Sequence, residues 1–322
     1  RDPEMSRGLG DVYKRQVPEG QPVPQGLDED VSILQEPLQN IYLVASGVMD
    51  MFASLDAVGQ IRFSGQKQEN WYIQTAKDAM AAGDMIYAGK YSKPDYELLV
   101  SEGCDLAIEN RMITHSPEVV EMLQSFDIPV MIEYSSYEQH PLGKVEWVKF
   151  FGALTGKEAK AEEAFAEQTE ILEEVESGEK TGKTIAFFYV TSNGLIQVRQ
   201  STDYIPKLIE LAGGRYIFEN LEDSGSGRST LNMQVEDFYA GAKDADILIY
   251  NSSIDGGVTT VDELIGKCNI LKDFKAVQEG QVYCTTNDMY QQSMAVGYLL
   301  QDMHTVLTDD DTAKLRYLFL LQ

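Results

Sequence analysis

The feature that most constrains this chain is an alternation of short apolar runs with longer amphipathic stretches. "NIYLVASG" (40–47) is a short apolar run ending in Ser-Gly, and "VMDMFASLDAVG" after it has helical spacing. Val48, Met51, Phe52 and Leu55 share one face there, with Ser46 as the expected N-cap and Gly59 as the stop. The pattern repeats. "DYELLVSEG" (95–103) reads as a helix, "CDLAIE" (104–109) as a buried strand, "SPEVVEMLQSFD" (116–127) as a helix and "IPVMIEY" (128–134) as a strand. Ser116 caps the second helix and Pro117 fits its first turn. Such spacing predicts βα units and a parallel sheet. Ligand-contacting residues in these sheets sit on loops after the strands' carboxyl ends. That rule points to residues 109–115 and 133–140, including "EYSSYEQH".

A second series starts at "TIAFFYV" (184–190). The helices "DYIPKLIELAGG" (203–214) and "QVEDFYAGA" (234–242) follow, then the strand "ADILIYN" (245–251). "TVDELIGKCNILKDFKAVQEG" (260–280) is helical with an interruption, "QVYCTT" (281–286) is a strand, and "SMAVGYLLQDMHTVL" (293–307) is a terminal helix. Between the two series lie "KVEWVKFFGALTG" (144–156) and "KEAKAEEAFAEQTEILEEVES" (157–177), both helical. Ala161, Phe165, Leu172 and Val175 line one face of the second, which as a helix would reach about 30 Å. The predicted fold is α/β: two Rossmann-like lobes joined by one long bridging helix. The expected division is a leader over 1–27, one lobe over 28–142, bridging helices over 143–178 and a second lobe over 179–322. The opening "RDPEMSRGLGDVYKRQ" has neither an apolar core nor helical periodicity. It reads as a cloning remnant or sequence-assembly artefact, and the leader as disordered.

The balance of 26 basic and 52 acidic residues gives a net charge of −26. Such a surface repels nucleic acid and anionic headgroups, so an anionic ligand would need a local basic spot. No apolar run of membrane-spanning length occurs and no signal peptide is visible. A lipidated N-terminal cysteine, if one exists, would lie upstream. Cys104, Cys268 and Cys284 form no CxxC pair, which argues against a structural zinc site. Burial as small apolar residues is expected for each, with a Cys268–Cys284 disulfide open.

Catalytic signatures are missing from the sequence. No GxSxG occurs, and neither "GSGR" (225–228) nor "NGLIQVRQ" (193–200) matches a phosphate-binding GxxxxGK[ST] loop. The reading is therefore a non-enzymatic protein. Of the three histidines, His304 sits on the terminal helix as a packing or surface residue. His115, His140, Glu133 and Asp288 form the one candidate set for a bare metal ion.

The order of these stretches resembles the substrate-binding proteins of ABC importers for iron–siderophores, haem and cobalamin, over roughly residues 28–322. The similarity is carried by "YELLVSEGCDLAIENR", "DIPVMIEYSS", "YIPKLIELAGGRYIF", "VEDFYAGAKDADILIYN" and "FKAVQEGQVYCTT"; Cys104 stands where proline is usual. The resemblance implies a class III periplasmic binding protein: a monomer outside the cytoplasm, free in the periplasm or lipid-anchored, that holds its ligand between the lobes. It also implies that Glu97 and Glu236 match two glutamates that dock to arginine pockets on an ABC permease. Two separated carboxylates suit bidentate Arg pairing; ordinary solvated helix glutamates are the plain alternative.

No resident cofactor is expected. The favoured ligand is a metal chelate or tetrapyrrole, large, flat and partly apolar, which aromatic walls suit. Trp71, Tyr72, Tyr134, Tyr137, Tyr204 and Tyr290 are the candidate wall, and Arg111 and Arg199 the candidate cations. Haem would need an axial ligand such as Tyr137 or His140; cobalamin would favour aromatic walls without strong charge. The two arginines tilt the reading toward a ferric siderophore. Direct zinc or manganese binding is the runner-up, and Trp147 is assigned to packing. His140 has two readings: a ligand contact, or a hydrogen bond that fixes its loop.

Overall fold

The computed structural model describes residues 14–27, 31–222, 229–254, 256–309 and 312–322. The first residues of the chain and the "GSGR" stretch lie outside these. The chain divides into two compact units. Unit 1 comprises residues 1–134 and 148–162, and unit 2 comprises residues 135–147 and 163–322.

Unit 1 holds a parallel sheet. Its strands are β3 (Ile41–Leu43), β4 (Ile61–Ser64), β5 (Ile86–Tyr87), β8 (Leu106–Asn110) and β9 (Val130–Glu133), in the order β5-β4-β3-β8-β9. Successive strands move outward from β3 first to one edge and then to the other, which puts a topological switch between β3 and β8. The helices α1 (Val48–Ser54), α2 (Gln74–Ala82), α3 (Tyr96–Ser101) and α4 (Pro117–Ser125) make the crossovers. Val48, Met51, Phe52 and Leu55 are all fully buried, as the periodicity predicts. A small hairpin of β6 (Gly89–Lys90) and β7 (Lys93–Pro94) precedes α3. Gly89 sits at φ +90°, and a Cβ there would fall 2.3 Å from the Lys93 carbonyl oxygen, so only glycine fits the turn.

Two boundary expectations change, and one cap holds by position alone. The N-cap of α1 is Gly47, not Ser46, and no side chain caps it; the turn opens on the backbone bond from Val48 N to Ala45 O at 3.0 Å. The helix stops before Gly59, because Asp56 takes φ +51° and ends it. Ser116 occupies the N-cap of α4 without a side-chain bond. Part of the expected leader is also structured. Lys14–Val17 (β1) pairs in parallel with Ser32–Gln35 (β2), and Gln16 donates to the carbonyl of Ala153 at 2.6 Å.

The expected helices between the two series are α5 (Pro141–Thr155) and α6 (Glu158–Glu176), and the division between units runs through both. Within unit 1, a Cβ at Gly152 would come 2.5 Å from the Cβ of Ala161, so the turn from α5 to α6 closes on a glycine.

Unit 2 has a mixed sheet in the order β13-β11-β10-β14-β15-β16. The members are β10 (Thr184–Val190), β11 (Ile196–Arg199), β12 (Arg215–Tyr216, beside the start of β10), β13 (Thr230–Met233), β14 (Ile247–Tyr250), β15 (Val282–Thr285) and β16 (Leu318–Leu320). β10, β14 and β15 run parallel; β11, β13 and β16 are antiparallel additions. The helices are α7 (Tyr204–Leu211), α8 (Val235–Ala242), α9 (Val261–Lys267), α10 (Lys275–Gln278) and α11 (Val296–Thr308). One face packs Phe188, Phe238, Tyr250 and Phe274 into an aromatic core. Buried Asp302 on α11 accepts the backbone N–H groups of Arg316, Tyr317 and Leu318 at 2.6–3.1 Å, fixing the approach to β16. The three cysteines are free thiols; the Cys268–Cys284 disulfide is not formed.

Among the described residues, Glu109 is the one buried carboxylate without a hydrogen-bond partner. It lies on β8 fully buried, and neither carboxylate oxygen has a hydrogen-bond partner. Burial pushes its pKa from 4.5 up to about 8. Below that value the folded chain keeps a proton that the unfolded chain releases above pH 4.5. Stability from this group is thus fully present below 4.5 and lost as pH rises toward 8. Glu109→Gln should melt with the parent at pH 5 but several degrees above it at pH 9, by thermal denaturation followed by circular dichroism. A parent as stable as the variant at pH 9 would show that the carboxyl is not kept neutral.

Candidate ligand-binding site

The best-defined polar constellation lies in unit 2. Arg199 is the last residue of β11, on the side of the sheet that carries Phe187, whose ring it overlies at 5.8 Å. Its guanidinium pairs with Asp203 at 3.4 Å and donates to the Tyr290 hydroxyl. Asp203 also serves as N-cap of α7, accepting from Ile205 N at 3.0 Å. One carboxylate therefore starts a helix and neutralises a buried cation. Burial works against the Arg199 charge, but Tyr290 and Asp203 more than offset it, and the guanidinium stays protonated.

Tyr290 lies in the turn after the carboxyl end of β15, and Asn251 directly follows β14. Asn251 donates to the Tyr290 oxygen at 2.8 Å, while its own carbonyl oxygen accepts from Ser253 Oγ at 2.6 Å. Tyr216 closes the other side: its hydroxyl accepts from the Arg199 amide at 3.0 Å and donates to the Arg199 carbonyl at 2.8 Å. Burial raises the pKa of Tyr290, and Arg199 opposes that rise.

Beside this network is a crevice of about 590 Å³ bordered by His140, Thr202, Asp203, Lys207, Arg215 and Tyr216. Its charged rim is matched in pairs, Lys207 with Glu210 at 2.8 Å and Arg215 with Glu219 at 3.3 Å. Such exposed pairs add little stability but leave the crevice polar and close to neutral.

The remaining expected site residues divide by environment. His140 is exposed, and its Nδ1 accepts from Leu142 N at 3.2 Å. That bond ties it to the start of α5 just ahead of Pro141, and it also borders the crevice. Trp147 donates to Glu138 at 2.9 Å within the same short segment, a tie that goes beyond the packing expected of it. Trp71 is not a wall residue. It is 1% exposed, and its indole donates to Ser64 Oγ at 3.0 Å inside unit 1. Tyr204 is likewise buried, with Lys144 Nζ 4.3 Å from its ring centroid. Rings so enclosed offer a ligand no surface. Tyr72 and Tyr137 are exposed, at 47% and 41%, and Tyr134 and Arg111 are partly buried at the ends of β9 and β8. Arg199 is no free basic spot, because Asp203 already balances it.

The expected metal ligands are divided between the two units. Glu133 is buried at the end of β9, His115 is exposed at the end of the turn after β8, and Asp288 lies in the 286–292 turn of unit 2. Among the described residues, no three His, Cys, Asp or Glu side chains form a group able to hold a metal ion. Glu97 and Glu236 are exposed and hold the same place, the second residue of α3 and of α8. A carboxylate there is also favoured by the helix dipole.

A family model for periplasmic binding proteins matches residues 46–289, and the chain belongs to that family. Its fold is that of the class III members, two α/β lobes with a helical bridge. An uncharacterized lipoprotein of Methanocaldococcus jannaschii is 25% identical over 304 residues, 89% of this chain and 70% of that protein. A possible iron-binding (periplasmic solute-binding) protein from Staphylococcus epidermidis has a solved structure with a TM-score of 0.64 at 16% identity, covering 84% of this chain and 98% of that one. The periplasmic haem-binding protein of Vibrio cholerae gives a TM-score of 0.64 at 14% identity, covering 81% and 96%. Proteins of this family are solute carriers, not enzymes, and serve ABC permeases. No helix among the described residues is long and apolar enough to cross a membrane.

Removing half of the buried ion pair tests the network. Asp203→Asn keeps a capping oxygen but leaves Arg199 without a counter-charge, and should cost about 3–5 kcal/mol in urea unfolding. Adding Arg199→Met should recover more than half of that loss. A double variant as unstable as the sum of the singles would show that the two side chains are not coupled.

Proposed function

We propose that this substrate-binding protein works outside the cytoplasm and delivers a ferric siderophore, or a related iron chelate, to an ABC permease. The observation that carries the reading is the network at the carboxyl ends of β14 and β15, where Tyr290 is held between Arg199 and Asn251. An aromatic ring with a fixed polar tip suits a ligand that is flat, partly apolar and rimmed by oxygen. The exposed Tyr137, in the same unit, supplies further ring surface. The possible iron-binding protein of Staphylococcus and the haem-binding protein of Vibrio lie in the same chemical range. Haem is the second reading, and the exposed Tyr137 and His140 favour it as axial candidates. A bare zinc or manganese ion stands behind both readings: among the described residues no three His, Cys, Asp or Glu side chains group to hold one. The lipoprotein relative supports a lipid tether as the mode of retention.

Intrinsic fluorescence tests the ligand class. Of the two tryptophans, Trp147 reports on the segment that carries His140, through its bond to Glu138. Ferric siderophores should quench with saturation, and dialysed protein should hold no stoichiometric zinc or manganese. No response to siderophores, haem or cobalamin would sink the reading.

Glu97 and Glu236 are proposed as the permease contacts. The double variant Glu97→Ala, Glu236→Ala should abolish most transport in reconstituted vesicles while the Kd for ligand stays within about twofold. A collapse of affinity would place the two glutamates at the ligand instead.

A further inference from the structure

The phenol oxygen of Tyr290 receives two hydrogen bonds, one from the Arg199 guanidinium and one from the Asn251 amide at 2.8 Å. The orientation of that amide is not free, because its carbonyl oxygen is occupied by Ser253 Oγ at 2.6 Å. The Arg199 orientation is fixed as well, by Asp203 at 3.4 Å and by the Phe187 ring beneath it. A tyrosine hydroxyl has one hydrogen to give. With its oxygen already accepting from both sides, that hydrogen must point away from Arg199 and Asn251. No described residue accepts it. The two donors withdraw electron density from the oxygen, and chains of hydrogen bonds polarise one another. The result is an oriented and strengthened O–H donor on a partly exposed ring in the turn after β15.

We propose that Tyr290 is a specificity-determining residue: its hydroxyl, set by Arg199 and Asn251, selects solutes that present an anionic oxygen. The preferred class is a ferric chelate whose outer atoms are carboxylate or catecholate oxygens; amide-rimmed ligands are disfavoured. This assignment resolves a difficulty of charge. A protein of net charge −26 needs a way to meet an anion, and Arg199, already paired, does not supply a free cation. The phenol relays part of the guanidinium's pull without exposing it. Asp203 then keeps the buried assembly neutral, so no net charge is left to be desolvated when a ligand covers it.

The assignment rests on the iron-chelate reading, and one experiment separates the two. Ferric citrate and a ferric tricatecholate are titrated by calorimetry into the parent, Tyr290→Phe and Asn251→Leu, with visible spectra recorded at saturation. The parent should bind at least one of these probes. Tyr290→Phe keeps the ring and loses the donor, and its Kd should rise about tenfold to a hundredfold, the loss of one charge-assisted hydrogen bond. Asn251→Leu should raise Kd in the same direction by less, and it carries the test where Tyr290→Phe does not fold. An unchanged Kd in the folded variants overturns the assignment alone. A tyrosinate-to-iron charge-transfer band in the parent, lost in Tyr290→Phe, also overturns it, because the phenolate would then ligate the metal. Binding of neither probe by the parent overturns the chelate reading and this assignment with it.

Discussion

The architecture of unit 2 turns on keeping one guanidinium charge out of water. A lone buried cation is prohibitively costly, and a paired one is tolerable only when its hydrogen bonds are satisfied. Asp203 meets the first condition and Tyr290 helps to meet the second. Meeting both fixes a good deal else. Asp203 has to sit at the mouth of α7, so the helix starts where the ion pair dictates. Tyr290 must lie over β11, which sets the turn that leads from β15 toward α11. Tyr216 ties the Arg199 backbone to the strand beside β10. A sheet, a helix start and a turn thus share one electrostatic requirement.

Unit 1 handles a buried ionisable group in the opposite way. Glu109 has no counter-ion and no hydrogen bond among the described residues, so it holds its proton instead. The two units together show both routes by which a protein interior accommodates charge, pairing and neutralisation. The route chosen has functional weight. The paired group keeps its charge and can polarise a neighbour, whereas the neutralised one offers no charge to anything around it.

Much of this was legible in the sequence, because parallel βα units declare themselves by apolar runs and capped helices. Thr184–Val190 and the buried face of α1 follow directly from their residues. Strands that add antiparallel, such as β11 and β13, were not visible as strands. Their residues alternate apolar with polar over four positions, too short a span to stand out from loop. The site was less legible still. Asp203 reads as an ordinary helix cap, and nothing local marks Arg199, four residues away, as its partner, or Tyr290 and Asn251 as the next links in the network. Trp71 and Tyr204 misled for the same reason. An aromatic residue's composition says that it will be buried or will bind, and only the fold says which.

Asp302 has a consequence for how the chain comes together. Its carboxylate collects the amides of residues 316–318, while the following residues complete the sheet against β15. The same short piece of backbone is therefore claimed by a helix and by a strand at once. Each contact of that piece, with α11 and with β15, therefore holds it in the position the other needs. Helix and strand thereby support one another, and losing either loosens the whole C-terminal edge.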